Sequence, residues 1–428
     1  MPGTTRQYDA APGFGSRLSP GCENVKTMED GMAKHQQQRR RLVKAIGTVG
    51  ALGALGAPAL AFAQATKIKV GFMLPYTGTY AALGRAIENG FKLYVSEQGG
   101  KLSGREIEYT TVDDESEPAK AADNVNKLIK RDNVDVIVGT VHSGVQMAIV
   151  KAARDNNTLL IIPNAGVDEA TGPLCAPNIF RVSFSNSQPG LAMGIVAALR
   201  GYKTAVTITW KYAAGEQSIG GFKETFEKGG GKVLKELFVP FPNVEFQALL
   251  TEIASIKPSC AYAFFAGGGA VKFVKDYAAA GLKDKVPLLG AGFLTDGTLD
   301  AQGAAADGLL TTLHYADNLT TPRNTAFRLA YAKAYSSKAD VYAVQGYDSA
   351  QLLGLGLRAV GGDIGQRQLL FRAMAAAEID SPRGKITLSP SHNVVQDFYL
   401  RKVENGENKS IGLAAKSLAD PGRGCAMG

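Results

Sequence analysis

From Lys67 onward the chain alternates short apolar runs with segments of helical periodicity, and this alternation limits the folds open to it. The runs IKVGFML, VDVIVG and TLLIIPN are bounded by turn residues, as buried strands are. Between them, ALGRAIENGFKLYVSEQG and SGVQMAIVKAARDNN repeat apolar residues near helical spacing. Short strands rich in Val and Ile, separated by helices, predict a parallel sheet with helices on both faces.

A second series of the same kind follows the segment NIFRVSFSNSQ. Its predicted strands are TAVTITW, KVLKELFVP, CAYAFFA and VPLLGAG, again with helical patterns between them. A chain of 428 residues exceeds one ordinary core. We therefore predict an α/β protein with two doubly wound lobes, and because no low-complexity linker separates them, short connections between the lobes.

The N-terminal region has the pattern of an export signal. Residues 34–44 are basic, an apolar stretch follows, and Ala61-Phe62-Ala63 has the small-x-small form of a cleavage site. We predict that residues 1–63 are removed, that the mature chain begins near Gln64 and that it is periplasmic. A membrane anchor is the alternative, which the four glycines and Pro58 of the apolar stretch disfavour. Residues 39–44 resemble a twin-arginine signal, so the export route stays open.

Charge and cysteine content exclude several classes of function. Without the eight basic and four acidic residues of 1–63, the formal charge falls from +8 to +4, and no basic stripe predicts nucleic-acid binding. No Cys or His has metal-site spacing, so we predict neither a metal nor another cofactor. Cys260 lies in the apolar run CAYAFF and is predicted to be a buried thiol. Cys175 and Cys425 lie in loop-like segments and are a candidate disulfide of an exported protein, the alternative being two free thiols.

The pair His142-Ser143 ends an apolar run and raises the question of catalysis. A nucleophile needs a base within reach and a group orienting that base, whereas adjacent residues on a strand-to-helix turn usually point apart. No GxSxG or HExxH motif supports an enzyme. Two other interpretations stay open. Ser143 caps the following helix, or the free N–H groups at that helix start bind a carboxylate, with His142 as a second donor.

The order of motifs resembles that of a known family. LPYTGTYAALG, VDDESEPAKAADNVNKLI, VDVIVGTVHSG, IIPNAG, NIFRVSFSNSQ and FFAGGGAVKFVKDYAAAGL resemble, in sequence order, the leucine/isoleucine/valine-type periplasmic binding proteins of ABC transporters over nearly all of residues 67–400. The resemblance implies a type I fold, in which two doubly wound lobes joined by three crossovers hold a ligand between them. It places the crossovers near Asn186, Gly292 and Ile386. The implied division is 67–186 plus 293–386 for one lobe, 187–292 plus 387–420 for the other, and 421–428 as a tail.

The resemblance also implies a set of ligand-binding residues in the loops that follow the strands. In the family, the serine matching Ser143 and the loop matching Asn164-Ala165-Gly166 hold the ligand's carboxylate. The full predicted set is Tyr80, Leu83, His142, Ser143, Asn164, Ala165, Gly166, Tyr212, Gly267, Gly268 and Phe293.

One departure from the family bears on the ligand. Amino-acid-binding relatives usually carry an acid after the strand matching CAYAFFA, where this chain has Gly267-Gly268-Gly269. A buried ammonium group without a partner costs several kcal/mol, so the departure favours a ligand without an amine, and three glycines leave space for it.

Aromatic residues near these loops favour a planar ligand. Tyr76, Tyr80, Trp210, Tyr212 and Phe293 offer flat apolar walls, although any one of them is equally suited to a core. We therefore expect a monomeric, non-enzymatic binding protein that captures an aromatic acid of the benzoate or hydroxycinnamate type, closes around it by a hinge motion, and delivers it to an ABC permease. Branched-chain or other apolar amino acids are the alternative ligands. A ligand sensor and a Ser-dependent hydrolase are the alternatives of other classes.

Overall fold

Fifteen strands form two sheets in the part of the chain that the computed structural model describes, residues 67–420 and 422–427. The predicted export signal and the Gln64 terminus lie outside these residues. The strands are β1 (Ile68–Leu74), β2 (Lys101–Leu102), β3 (Arg105–Asp113), β4 (Val136–Gly139), β5 (Leu159–Ile162), β6 (Ile179–Arg181), β7 (Thr204–Trp210), β8 (Lys232–Val239), β9 (Cys260–Phe264), β10 (Leu288–Ala291), β11 (Leu310–Leu313), β12 (Ile379–Ser381), β13 (Gly384–Leu388), β14 (Val394–Glu404) and β15 (Glu407–Leu418).

Helices connect the strands and cover the sheets. They are α1 (Ala81–Glu97), α2 (Pro118–Asn126), α3 (Ser143–Asp155), α4 (Ser187–Leu199), α5 (Ala213–Lys228), α6 (Gln247–Ile256), α7 (Gly267–Ala279), α8 (Leu299–Gln302), α9 (Pro322–Tyr335), α10 (Val341–Ala359) and α11 (Arg367–Ala375). Sequence sets their starts: α2 and α9 begin with proline, which loses no hydrogen bond at that position. The side chain of Asp340 caps α10 by accepting from the N–H of Ala343.

The first sheet has the order β2-β3-β1-β4-β5-β6. All its pairings are parallel except the short β2–β3 hairpin. Strands β4 and β5 are fully buried, which is why they read as unbroken apolar runs. The order of the strands reverses between β1 and β4, because β3 lies on one side of β1 while β4, β5 and β6 continue on the other.

The second sheet repeats this plan and extends it. Its parallel part has the order β8-β7-β9-β10-β11, and the antiparallel strands β14, β13, β12 and β15 continue from β11. The strand order reverses between β7 and β9. The prediction of an α/β fold with two doubly wound, parallel-rich sheets is confirmed.

The chain passes between the two sheets after β6, after β11 and after α11. Helix α10 packs against α1 of the first sheet, and α11 packs against α10. The predicted crossing near Gly292 needs a revision, because Leu310–Leu313 pairs with both β10 and β14 and so belongs to the second sheet. The chain therefore returns to the first lobe after Leu313. The rest of the residue-by-residue division stays a proposal.

A buried arginine joins two of these passages. The guanidinium of Arg383 donates to Asp348 of α10 at 2.9 Å and to the carbonyl oxygen of Ser183, just beyond β6, at 3.3 Å. Both charged side chains are almost fully buried, and removing one would leave the other charge unpaired. The connections next to the cleft are thus fixed by charge-assisted hydrogen bonds.

The C-terminal segment is held to the first sheet by a disulfide. Cys175, in the loop between β5 and β6, is bonded to Cys425. Cys260 is a buried free thiol in β9. In the described residues, no helix is long and apolar enough to cross a membrane.

Candidate functional site

The two strand-order reversals determine where a ligand can bind. In open α/β sheets, the crevice for a ligand lies beyond the carboxyl ends of the strands at such a reversal. In the first sheet these ends lead into the segments 75–80 and 140–142. In the second sheet they lead into Lys211-Tyr212 and Phe265-Ala266. Residues from all four segments meet in one place.

They enclose a small cavity between the two sheets. Its open volume of about 20 Å³ is enough for roughly one water molecule, so the walls must move apart to admit an aromatic acid. The lining residues are Tyr80, Leu83, Val141, Asn164, Gly166, Phe184, Asn186, Tyr212, Ala214, Phe264, Ala266, Phe293 and Tyr342. None of them carries a charge.

Six of the eleven predicted ligand-binding residues line this cavity, namely Tyr80, Leu83, Asn164, Gly166, Tyr212 and Phe293. The other five lie one or two positions along the chain from a lining residue, namely His142, Ser143, Ala165, Gly267 and Gly268. Their assignment as ligand contacts stays a prediction.

His142 caps α3 with its side chain. Its Nδ1 accepts from the N–H groups of Gly144 at 3.1 Å and Val145 at 3.4 Å. The imidazole also stacks on the ring of Tyr212, with centroids 4.8 Å apart. Burial lowers the pKa of His142 to about 4, so the ring is neutral at pH 7 and its Nε2 carries the proton. Any donation from His142 to a ligand would come from Nε2, and its role as a second donor stays a prediction.

The capping role of His142 changes the interpretation of Ser143. Ser143 is the first residue of α3 but not its side-chain cap. Its Oγ accepts from Nδ2 of the cavity-lining Asn186 at 3.2 Å, which leaves the hydroxyl proton free to donate. Its described partner is thus an amide rather than the imidazole of His142.

The loop after β5 supplies further polar groups. The N–H of Ala165 donates to the carbonyl oxygen of Thr140, whereas the N–H groups of Gly166 and Ser143 have no partner among the described residues. Gly166 has to be glycine, since a Cβ there would lie 2.5 Å from Oδ1 of Asn186. The free donors thus lie beside the positive end of the α3 dipole, where an anion is stabilised.

A buried amide chain fixes the orientation of Asn164. Nδ2 of Asn164 donates to Oε1 of Gln345 at 2.8 Å, and Nε2 of Gln345 lies 3.2 Å from Nε2 of His314. Burial lowers the pKa of His314, so this imidazole is neutral and accepts from Gln345. Oδ1 of Asn164 is thereby left without a described partner.

The glycines that begin α7 have a role that the sequence analysis did not anticipate. Gly267 has a φ of +56°, and a Cβ there would lie 2.2 Å from the carbonyl oxygen of Thr79. The N–H of Gly269 donates to Oγ1 of Thr79 at 3.2 Å. Thr79 follows β1 in the first sheet, while α7 follows β9 in the second. The space left by the absent side chains is therefore filled by the opposite lobe rather than left for a ligand.

The aromatic residues divide into a lining group and a supporting group. The hydroxyls of Tyr80 and Tyr212 lie 2.9 Å apart across the cleft. Trp210 is fully buried behind them and donates from Nε1 to the carbonyl oxygen of Asn243. Phe241, absent from the predicted set, packs against Tyr80, Trp210, Tyr212 and His142. Tyr76 does not line the cavity.

Tyr342 is a polar lining residue that the sequence gave no reason to select. It is the second residue of α10 and is 1% exposed. Its hydroxyl is buried and has no hydrogen-bond partner in the part of the chain that the structure describes. Burial raises the pKa of Tyr342 well above its usual value, so the hydroxyl is protonated at neutral pH. Asn186 and Phe184 were likewise missed as lining residues, although both belong to the quoted segment NIFRVSFSNSQ.

Within the described residues, no cluster of His, Cys, Asp or Glu has the arrangement of a metal site. The cavity offers hydroxyl, amide and backbone N–H groups together with aromatic walls. These groups can hold a small carboxylate and a ring.

Comparison with known proteins relates this geometry to binding proteins of the same architecture. A profile of the family described as "Periplasmic binding protein" matches residues 67–408. A solute-binding protein of an ABC transporter from R. palustris, solved with benzoate, is 54% identical, with a TM-score of 0.83 over 84% of this chain and 99% of its own.

Two further relatives extend the range of ligands. A solute-binding protein from Rhodopseudomonas palustris BisB5, solved with 3,4-dihydroxybenzoic acid, is 33% identical, with a TM-score of 0.78 over 83% of this chain and 99% of its own. The Leu/Ile/Val-binding protein homolog 6 of Brucella melitensis is 28% identical over 85% of this chain and 95% of its own length.

Proposed function

The chain belongs to the periplasmic binding protein family, and from this we propose that it captures an aromatic carboxylate of the benzoate or hydroxycinnamate type and delivers it to the permease of an ABC transporter. The relatives from R. palustris, solved with benzoate and with 3,4-dihydroxybenzoic acid, support this ligand class. The proposal includes a monomeric protein in the periplasm, and binding without catalysis.

The observation that carries the choice of ligand is the uncharged, aromatic lining of the cavity. Tyr80, Tyr212 and Phe293 form apolar walls, and no lining residue is an Asp or a Glu. An amino acid would bring an ammonium group into this space without a carboxylate to pair with it, which costs several kcal/mol. An aromatic acid brings only an anion and a ring.

The carboxylate has a place at the start of α3. The free N–H groups of Ser143 and Gly166 and the Ser143 hydroxyl are uncharged donors, and the helix dipole adds positive potential. We propose that the carboxylate of the ligand accepts hydrogen bonds from these donors, and that its ring lies between Tyr80, Tyr212 and Phe293. Closure of the two lobes then excludes water from the site.

Isothermal titration calorimetry of the purified protein tests the proposal. We expect benzoate, 4-hydroxybenzoate and 4-hydroxycinnamate to include a ligand of micromolar or better affinity, and leucine, isoleucine and valine to bind more weakly. Native mass spectrometry of the same preparation should detect a co-purified aromatic acid. Sub-micromolar binding of leucine without any response to aromatic acids would reverse the ranking.

The branched-chain amino acids are the second candidate ligands, because the Brucella melitensis relative is named for leucine, isoleucine and valine binding. The missing carboxylate near Ala266 argues against them. A sensor would use the same cavity and differ only in the partner that recognises the closed form. Uptake of radiolabelled ligand by cells with and without the gene distinguishes transport from sensing.

A further inference from the structure

Tyr342 lines the cavity, and within the described residues its hydroxyl is a buried side-chain group without a hydrogen bond. The other two lining tyrosines, Tyr80 and Tyr212, hydrogen-bond to each other, and the amide of Asn164 is bound to Gln345. The Tyr342 hydroxyl, by contrast, is buried and has no hydrogen-bond partner between residues 67 and 420 or 422 and 427. A buried hydroxyl without a hydrogen bond is unfavourable, and a bound molecule that supplies a partner removes the penalty.

Tyr342 also belongs to a different element from the predicted carboxylate donors. Those donors lie at the start of α3 and in the loop after β5, whereas Tyr342 lies in the first turn of α10. A ligand that satisfies both regions needs a second polar group in addition to its carboxylate. A plain benzoate has no such group.

We propose that the ligand carries a hydroxyl on its aromatic ring and that Tyr342 is the residue that selects for it. The inference depends on the proposed function, since it assumes an aromatic acid in this cavity. A phenolic hydroxyl can both donate and accept, as can Tyr342, so either direction of the hydrogen bond satisfies both groups. Sites that hydrogen-bond a ligand hydroxyl discriminate strongly against the analogue that lacks it.

Calorimetry with benzoate and the three monohydroxybenzoates, on the native protein and on Tyr342→Phe, tests the inference. At least one hydroxybenzoate should bind the native protein about fivefold or more tightly than benzoate. In Tyr342→Phe this preference should fall to about twofold or less. The quantity compared is the ratio of the two dissociation constants, which a general loss of stability does not change.

Tyr277→Phe is the matched control. Tyr277 is equally buried, and its hydroxyl donates to the carbonyl oxygen of Val286 outside the cavity, so the same chemical change there should leave the ratio intact. Benzoate binding as tightly as every hydroxybenzoate, or a preference that survives in Tyr342→Phe, would overturn the inference and leave the proposed function standing. Binding of leucine with no aromatic acid bound at all would overturn both.

Discussion

Two helix starts face the same cleft, and they use their N-terminal groups differently. Helix α3 is capped by the residue that precedes it, through the imidazole of His142. Helix α7 instead donates to the opposite lobe, from the N–H of Gly269 to Oγ1 of Thr79. The α3 start keeps free N–H groups beside the cavity, whereas the α7 start is pressed against the backbone of the other lobe.

Under the proposed function, the α3 start binds the ligand and the α7 start depends on closure. The donors proposed for the carboxylate near Ser143 lie on one lobe, so they exist whether the cleft is open or closed. The contact between Thr79 and Gly269 exists only when the lobes meet. We therefore expect changes at α3 to act on ligand recognition and changes at α7 to act on closure.

The largest effect should come from Gly267→Ala. Its Cβ would lie 2.2 Å from the Thr79 carbonyl oxygen, a backbone atom that cannot rotate away. We expect affinity for the best aromatic acid to fall about a hundredfold, which corresponds to roughly 3 kcal/mol of overpacking. The positive φ of this residue also adds strain and should lower the melting temperature.

Gly268→Ala is the neighbouring control. The nearest atom to its Cβ would be Thr79 Oγ1 at 3.3 Å, which a small side-chain shift relieves. We expect less than about a threefold loss of affinity, since the remaining strain is well below 1 kcal/mol. Equal effects of the two substitutions would contradict the assignment of α7 to closure.

The contrast between these helices also marks the limit of the sequence analysis. Periodicity sufficed for the two sheets, because buried parallel strands such as β4 and β5 read as apolar runs and the helices between them as amphipathic patterns. The ligand-binding residues came instead from the resemblance to the binding-protein family, and six of the residues that it implied line the cavity.

Contacts between distant segments were not predictable in this way. Gly267 was interpreted as space for a ligand, because its neighbour Thr79 is 188 residues earlier in the chain. Tyr342 was missed because its position beside the cavity depends on α10 returning to the first sheet. A cap on α3 was considered only for Ser143, whereas the imidazole of His142 accepts from the N–H groups of Gly144 and Val145.

His142→Asn tests the cap on α3 through its pH dependence. Asn is a good N-cap, so the variant should keep the helix start but lose the titrating ring. The folded-state pKa of His142 is about 4, against 6.5 for the free side chain. As the pH falls from 6.5 towards 4, the imidazole of His142 becomes protonated in the unfolded chain but stays neutral in the folded protein. Native stability is lost in this window, by about 3 kcal/mol in total.

The comparison must be made between the two proteins, because buried carboxyl groups titrate in the opposite sense. Burial raises the pKa of Asp114 and of Asp168 to about 6, so their protonation on acidification favours the folded state. Urea unfolding of the native protein and of His142→Asn gives the difference between their free energies of unfolding at pH 7 and at pH 4.5. The change in this difference between the two pH values reports the titration of His142. If the difference between the two free energies of unfolding is the same at both pH values, His142 is protonated as readily in the folded protein as in the unfolded chain, which contradicts its lowered pKa.

Ser143→Ala should weaken ligand binding without weakening the helix. The substitution removes a hydroxyl that can donate to a carboxylate, and such charge-assisted bonds contribute about 1.5 to 3 kcal/mol. We expect a ten- to hundredfold loss of affinity. The melting temperature of the ligand-free protein should change little, because His142 caps the helix. Unchanged affinity together with a lower melting temperature would return Ser143 to a purely structural role.

The smallest effect should come from Thr79→Val, which replaces the hydroxyl that accepts from Gly269 with a methyl group of similar size. In the closed form the N–H of Gly269 would then be without its acceptor, whereas in the open form water can bind it. The substitution should therefore destabilise only the closed state, by about 0.5 to 1.5 kcal/mol, and reduce affinity about two- to tenfold.

Thr79→Ser is the control, because it keeps the oxygen, and it should bind the ligand within about twofold of the native protein. Because the loss arises from closure rather than recognition, it should be similar for benzoate and for hydroxybenzoates. A loss confined to one of these ligands would instead place Thr79 in contact with the ring and remove the distinction between the two helix starts.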